Sequence, residues 1–456
     1  MRRLALVTLA LIVLALLAGW YRYGRSVPPP SIADAAEHFK YGSIGAEVDG
    51  LPYPIWRALP HLCADALPGG YAQFGFITEP GRDLPVGVSV RRYRIDRVGF
   101  NCAACHTAAI DGGPLLLGAP AAQVDLAAYA RFVLQCGTRA SFTPAGVLAA
   151  IDASGVRLNP IDRAVYRFIV IPKARTVFAE RRRSLEWMDG RPLHGPGRTD
   201  AFNPWRQRFG LNPAGDRLLA TVDFPSVWNQ EVRDGMWLHW DADNNSLAER
   251  NLSAALAGGA SEASLDHPSI DRVTSWLRSL RPPAFPGPID GSLAAAGRAV
   301  YQREGCGTCH DVGGPRTGQS TPLAEIGTDP ARTQAFTPAL LPYMLSIGTG
   351  YPWRFSHYRV PDGYANSPLD GIWARAPYLH NGSVPTLEDL LSPSGDRPRT
   401  FGRGCRTFDV LKVGYRCDGP FRFDVNEPGN GNGGHLYGTG LSPADRRALI
   451  EYLKTQ

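Results

Sequence analysis

Two short segments share one arrangement of reactive side chains: Cys102-Ala-Ala-Cys105-His106 and Cys306-Gly-Thr-Cys309-His310. Two cysteines three positions apart can place both sulfurs along one edge of a porphyrin and bond its vinyl groups as thioethers. The histidine that follows then lies under the iron as its proximal ligand. A thioredoxin-like redox pair would leave the histidine without a role. A zinc knuckle needs its ligand pairs close together, and these segments stand about two hundred residues apart. The expectation is two covalently bound c-type haems, held by Cys102, Cys105 and His106 and by Cys306, Cys309 and His310.

What each iron would do depends on its sixth position: a second strong ligand makes an electron-transfer centre, and an open position admits dioxygen or peroxide. Beyond Met1 the methionines are Met188, Met236 and Met344, and the histidines outside the motifs are His38, His61, His194, His239, His267, His357, His380 and His435. For the second haem, His435 comes first, in Gly/Asn-rich sequence that can fold over an iron just before the last helix. His380, between Pro377 and Gly382, is second, and Met344 third. For the first haem no residue stands out; Met188, His194 and His239 all sit in aromatic loop sequence. Trp205 and Trp228, with Phe202, Phe224, Trp237 and Trp240, are candidates to line its distal wall or to bridge the haems, against ordinary core packing. Glu231 and Asp234 are candidate proton donors, against a solvated surface role.

Elements must hold these groups. Helical patterns cover Ala33 to Lys40, Asp125 to Cys136, residues 160–180 and Asp271 to Leu280, the last with Trp276 and Leu277 inward. Ser292 to Tyr301 reads as a helix capped by Ser292 and running into the second motif. Ser442 caps a closing helix with Pro443 at its first position, ending near Leu453. Between 187 and 245 the chain is rich in Trp, Asn, Pro and Gly with little periodicity, as in a site-forming loop. The Pro-rich stretch Arg281 to Pro288 is the clearest linker. The fold expected is mainly α with extensive irregular loops: an N-terminal haem domain over 31–280, elaborated by long insertions, and a C-terminal cytochrome c domain over 289–456.

The chain has 456 residues, 20% charged, with a net charge of +6. That balance gives no nucleic-acid signature, and Arg181-Arg182-Arg183 reads as a solvated face, with haem propionates as the other reading. Fifty glycines and 39 prolines imply many turns. Met1-Arg2-Arg3 followed by apolar sequence from Leu4 to Gly19 and aromatic Trp20, Tyr21 and Tyr23 reads as an N-terminal anchor over residues 4–20, or as a signal peptide within 1–24. Either places the rest of the chain in the periplasm or on the outer face of the inner membrane. Of eight cysteines, four lie outside the motifs. In an oxidising compartment Cys405 and Cys417 are set to pair across a short loop. Cys63 and Cys136 would enclose the first motif, or remain buried thiols.

The chain resembles the bacterial dihaem cytochrome c peroxidase superfamily, and most closely its rubber-oxygenase-like branch. The likeness is carried by His38-Phe-Lys-Tyr-Gly-Ser-Ile-Gly-Ala-Glu47, by Val98 to His106 and by Asp223-Phe-Pro-Ser-Val-Trp-Asn229. It continues through Leu369 to Gly382 and Gly434-His435-Leu-Tyr-Gly-Thr439. It implies bis-histidine coordination by His310 and His435 at one haem, a first haem open to oxygen or peroxide, and a small redox partner protein or oxidisable substrate. The alternatives are a membrane-tethered electron carrier without catalysis, and a haem-based sensor, for which no signalling segment is seen.

Overall fold

The computed structural model describes residues 13, 17, 19–213, 219–419 and 421–456. The expected N-terminal anchor lies almost wholly outside the described residues; among those described, no helix is long and apolar enough to cross a membrane.

The expectation of a mainly α fold is corrected: the architecture is mixed α/β, with many small sheets. The described residues form one three-stranded antiparallel sheet and five two-stranded ladders among the helices. Strand Val88–Tyr93 turns at Arg94, whose φ is 65°, and returns as Ile95–Phe100, which also pairs with Leu51–Pro52. Gly and Pro interrupt helices, and where two turn-rich stretches meet their backbone groups satisfy each other as short ladders. The loop expected over 187–245 is partly built in this way. Arg198–Asp200 pairs with Thr221–Asp223, and a short helix spans Asn203–Arg208.

Several expected helices form with the caps their sequences offer. Ala35–Tyr41 is capped by Asp34, Leu126–Gly137 by Asp125, and His267–Ser279 by Asp266. The cap of Gly291–Arg303 is Asp290, two residues before the expected Ser292; its carboxylate accepts from the amides of Ser292 and Leu293 at 2.9 and 3.0 Å. Ser442 caps Pro443–Leu453 as expected. These last two helices cross so closely that a Cβ on Gly297 would lie 1.9 Å from the Ala448 carbonyl oxygen, so only glycine fits there.

Apolar clusters tie distant parts of the chain together. One runs through the N-terminal part, from Ile55 and Trp56 to Phe178. A second joins Trp228 to Trp373, Tyr378 and the closing helix, and a third joins Phe202 and Trp205 to Phe336, Met344 and Tyr358. The second and third therefore draw on residues from both sides of the Arg281–Pro288 linker. Cys63–Cys136 and Cys405–Cys417 are both disulfide-bonded. The free cysteines are the four of the two motifs.

Candidate haem sites

The strand Ile95–Phe100 delivers the first motif into a tight turn over Cys102–Ala104. Asn101 sets that turn. Its side-chain oxygen accepts from the Ala103 amide at 3.0 Å, and its amide group donates to the carbonyls of Lys40 and Gly42. Gly87, at φ 87°, lets the backbone of Ala104 approach to where a Cβ would lie 2.2 Å from the Ala104 nitrogen. The segment that carries the family likeness at 38–47 thus acts as scaffolding. His38 bonds Ser269 at 2.8 Å, and buried Glu47 accepts from the hydroxyls of Ser43 and Ser89.

His106 donates from Nδ1 to the Pro225 carbonyl at 2.8 Å, which leaves Nε2 as the nitrogen able to take a metal. Burial pushes this imidazole down to about 4, so it stays in the neutral, ligating form. Burial also pushes the thiols of Cys102 and Cys105 up to about 11 and about 12. A thioredoxin-like pair needs a lowered thiol, so that alternative fails on electrostatics as well as on context.

Cys102, Cys105 and His106 open onto a cavity of about 310 Å³, within the range of small-molecule and cofactor pockets. Its walls are largely apolar and include Phe202, Trp205 and Phe224. One wall carries Arg250, which is buried, has no carboxylate partner among the described residues, and reaches only the Ser226 carbonyl at 3.5 Å. Burial pushes it down to about 10. An unpaired buried cation calls for an anion, and a porphyrin's propionates would provide one. Paired thiols, a neutral imidazole, an apolar slot and a lone guanidinium together fit a haem.

Trp228 lies behind this wall: its neighbour Val227 lines the cavity and its own indole does not. Trp237 lies under the Arg359 guanidinium, and Trp240 donates to the Asp223 carbonyl. Glu231 is exposed and Asp234 pairs with Arg278 at the surface, so neither reaches the cavity. Arg181 and Arg183 are exposed. His239 lines the cavity, and so does Met344, the third-ranked candidate for the second haem, which is thereby placed at the first motif instead. Arg250 was missed in the sequence, although it stands three residues from both Leu247 and Ser253 on the buried face of helix Leu247–Ala257.

At the second motif His310 repeats the arrangement of His106, donating from Nδ1 to the Ser367 carbonyl at 2.8 Å. The ring of His435 faces it with 6.2 Å between centroids. Metal–nitrogen bonds of about 2.0 Å on either side of one ion would set two imidazole centroids roughly 6 Å apart, so the gap has the size for an iron. Burial and then the neighbouring His310 push His435 down to about 4, and its Nδ1 is buried without a hydrogen-bond partner. Among the described residues no ring stands to His106 as His435 stands to His310.

His435 is positioned by its neighbours. Its amide donates to the Ile326 carbonyl at 2.8 Å, and buried Arg397 donates to the carbonyls of Asn432, Gly434 and His435. Asn381 and Ser383 hold the carbonyls of Gly429 and Gly431, which lead into the same loop. His380 stacks on Tyr364 at 4.1 Å and hydrogen-bonds its hydroxyl at 3.0 Å, so its Nε2 is already engaged.

Residues 363–402, which contain Tyr364, His380, Asn381 and Arg397, match the family described as RoxA-like, cytochrome c-like. The chain is 30% identical to the uncharacterized protein y4iJ of Sinorhizobium fredii (strain NBRC 101917 / NGR234), over 87% of this chain and 85% of that protein. It is 31% identical to the uncharacterized protein y4iM of the same organism, over 52% of this chain and 65% of that one. The cytochrome c-like match implies covalently bound haem and a haem-containing redox protein. It also supports the likeness to the rubber-oxygenase-like dihaem cytochromes.

Proposed function

We propose, from the premise that the chain belongs to the family of the Sinorhizobium fredii protein y4iJ, that it is an exported oxidoreductase with two c-type haems of unequal task. The observation that carries this reading is the asymmetry of the proximal histidines. His310 faces His435 at 6.2 Å, whereas His106 faces a cavity of about 310 Å³. Bound there, haem would supply an electron-transfer couple at the bis-histidine site and an iron open to dioxygen or peroxide at the other. The first motif falls in the stretch 31–280 and the second in 289–456, and Arg332, Met344 and Tyr358 from the later stretch help to line the first cavity.

The chain's own residues do the positioning. Pro225 and Ser367 fix the two proximal imidazoles as Nδ1–H donors. Cavity residues Phe202, Trp205 and Phe224 keep water out, and Arg250 would hold a propionate. Trp228 is suited to join the sites. The backbone runs from the Pro225 carbonyl to Trp228, whose indole donates to the Asp370 carbonyl at 3.0 Å, and Ser367 is three residues from Asp370. Gly371 and Gly118 leave room for that indole; a Cβ on either would lie 2.6 or 3.3 Å from it.

Electrons would come from or go to a small redox partner protein or an oxidisable substrate. Two disulfides support an oxidising compartment, in keeping with export and an N-terminal anchor. The test is spectroscopy of the purified protein with bound haem. One high-spin ferric haem that binds cyanide beside one low-spin haem that does not supports the reading. Two low-spin haems indifferent to added ligands would favour the tethered electron carrier.

A further inference from the structure

A compact ionic cluster forms part of the wall of the first cavity. His239 lines the cavity and is bonded from Nδ1 to Asp243 Oδ1 at 2.5 Å. Asp243 lies 3.8 Å from the guanidinium of Arg332, which bonds Asp241 at 2.7 Å and sits over the Phe202 ring. Arg332 and both carboxylates are buried, while His239 remains partly open. The Nε2 atom of His239 makes no hydrogen bond among the described residues.

The loop that bears these groups is tightly fixed. The Leu238 amide donates to the Asn244 carbonyl at 2.6 Å, and Arg359 donates to the carbonyls of Ala242 and Asp243. His239 and Ala242 both take left-handed backbone conformations, with φ of 61° and 58°. Residues other than glycine held there cost energy, and such positions gather where geometry serves a site.

Two buried carboxylates, Asp241 and Asp243, face the Arg332 guanidinium, and a second guanidinium, that of Arg359, donates from Nε to the intervening Ala242 carbonyl at 2.9 Å. The other groups around the loop are engaged elsewhere. Glu249 is engaged by His357 and Asn244, Tyr358 stays neutral because burial raises it well above its ordinary value, and Arg250 faces the porphyrin slot. Burial pushes Asp241 up to about 6, and the Arg332 guanidinium opposes that rise.

We infer that the His239–Asp243 pair is the proton-donating group of the first cavity, presenting a proton from His239 Nε2 to a small anionic or protic oxygen or halide ligand bound there. This rests on the first site being open, as proposed above. The step is a proton transfer alone: the N–H bond of the imidazolium breaks, the ligand gains the proton, and the cluster regains it from solvent through the open side of His239. Asp243 is the positioning residue, fixing the ring by its Nδ1.

The test is fluoride binding to the oxidised, full-length dihaem protein, followed by the high-spin absorption band between pH 5 and 8. His239→Asn is the informative variant, because asparagine tolerates left-handed backbone yet holds no such proton. Asp243→Asn keeps the ring and removes its charge partner. Expected is fluoride affinity that falls with rising pH in the wild type. His239→Asn should weaken fluoride at least tenfold near pH 6 and flatten that dependence, and Asp243→Asn should move its midpoint to lower pH. The low-spin spectrum of the second haem should be unchanged in both. Wild-type affinity and pH slope in His239→Asn would overturn the inference alone. So would a first haem that is low-spin in the wild type and high-spin in His239→Asn, since His239 would then be a ligand. A first haem that stays low-spin and refuses fluoride in every variant would overturn the open-site reading itself.

Discussion

The imidazoles of His310 and His435 face one another with 6.2 Å between centroids and 42° between their planes, across 125 positions of sequence that Arg397 and Asn381 draw together. An arrangement of this kind would close an iron on both faces.

Replacing His435 by Ala should therefore open the second site. The low-spin spectrum assigned to it converts to a high-spin, cyanide-binding one, while the first site keeps its own spectrum. Absorption spectra of the ferric variant, with and without cyanide, check this. A second haem that remains low-spin would transfer the ligand role to another residue, and His380 would first have to leave Tyr364.

Trp228→Phe removes the indole N–H that bonds the Asp370 carbonyl and leaves a smaller ring between Gly118 and Gly371. Rapid reduction of one haem followed by stopped-flow spectroscopy should show slower equilibration between the haems, with both ligand sets intact. The lost bond and partial cavity should also lower stability by about 1–3 kcal/mol.

How much of this was legible in the sequence depends on the kind of signal. Cys-x-x-Cys-His spacing is covalent geometry and survives any fold, so both motifs could be read directly. A capping residue such as Ser442 acts within one turn and was legible for the same reason, whereas at the helix before the second motif Asp290 caps in place of Ser292. The small ladders were not: Arg198–Asp200 and Thr221–Asp223 are too short for periodicity and exist because tertiary packing brings them together. Hairpin strands Val88–Tyr93 and Ile95–Phe100 did carry alternating apolar residues, a signal that was passed over. Arg250 and the Arg332–Asp241 pair gain meaning only from burial, which local sequence does not reveal.

Burial raises the Asp241 carboxyl from an ordinary 3.8 to about 6. Between those values the folded chain holds a proton that the unfolded chain has released, so this group's contribution to stability falls as pH rises through the window. Asp241→Asn should remove that slope. Urea unfolding of the wild type and the variant at pH 4 and pH 7 measures it, and the wild type should lose ground relative to the variant at the higher pH.

The Cys63–Cys136 bridge closes a separation of 73 residues around the first motif. In the chain-entropy account a loop of that size contributes about 4 kcal/mol. Replacing both cysteines by Ala should lower the thermal midpoint markedly without altering the absorption spectrum of either haem in the folded protein, as calorimetry and spectroscopy together would show.

The unequal closure of the two irons is tested most directly by electron paramagnetic resonance of the fully oxidised protein, before and after cyanide. One high-spin and one low-spin ferric signal, with cyanide converting the high-spin one alone, is the expected result. Two low-spin signals that cyanide leaves untouched would contradict it.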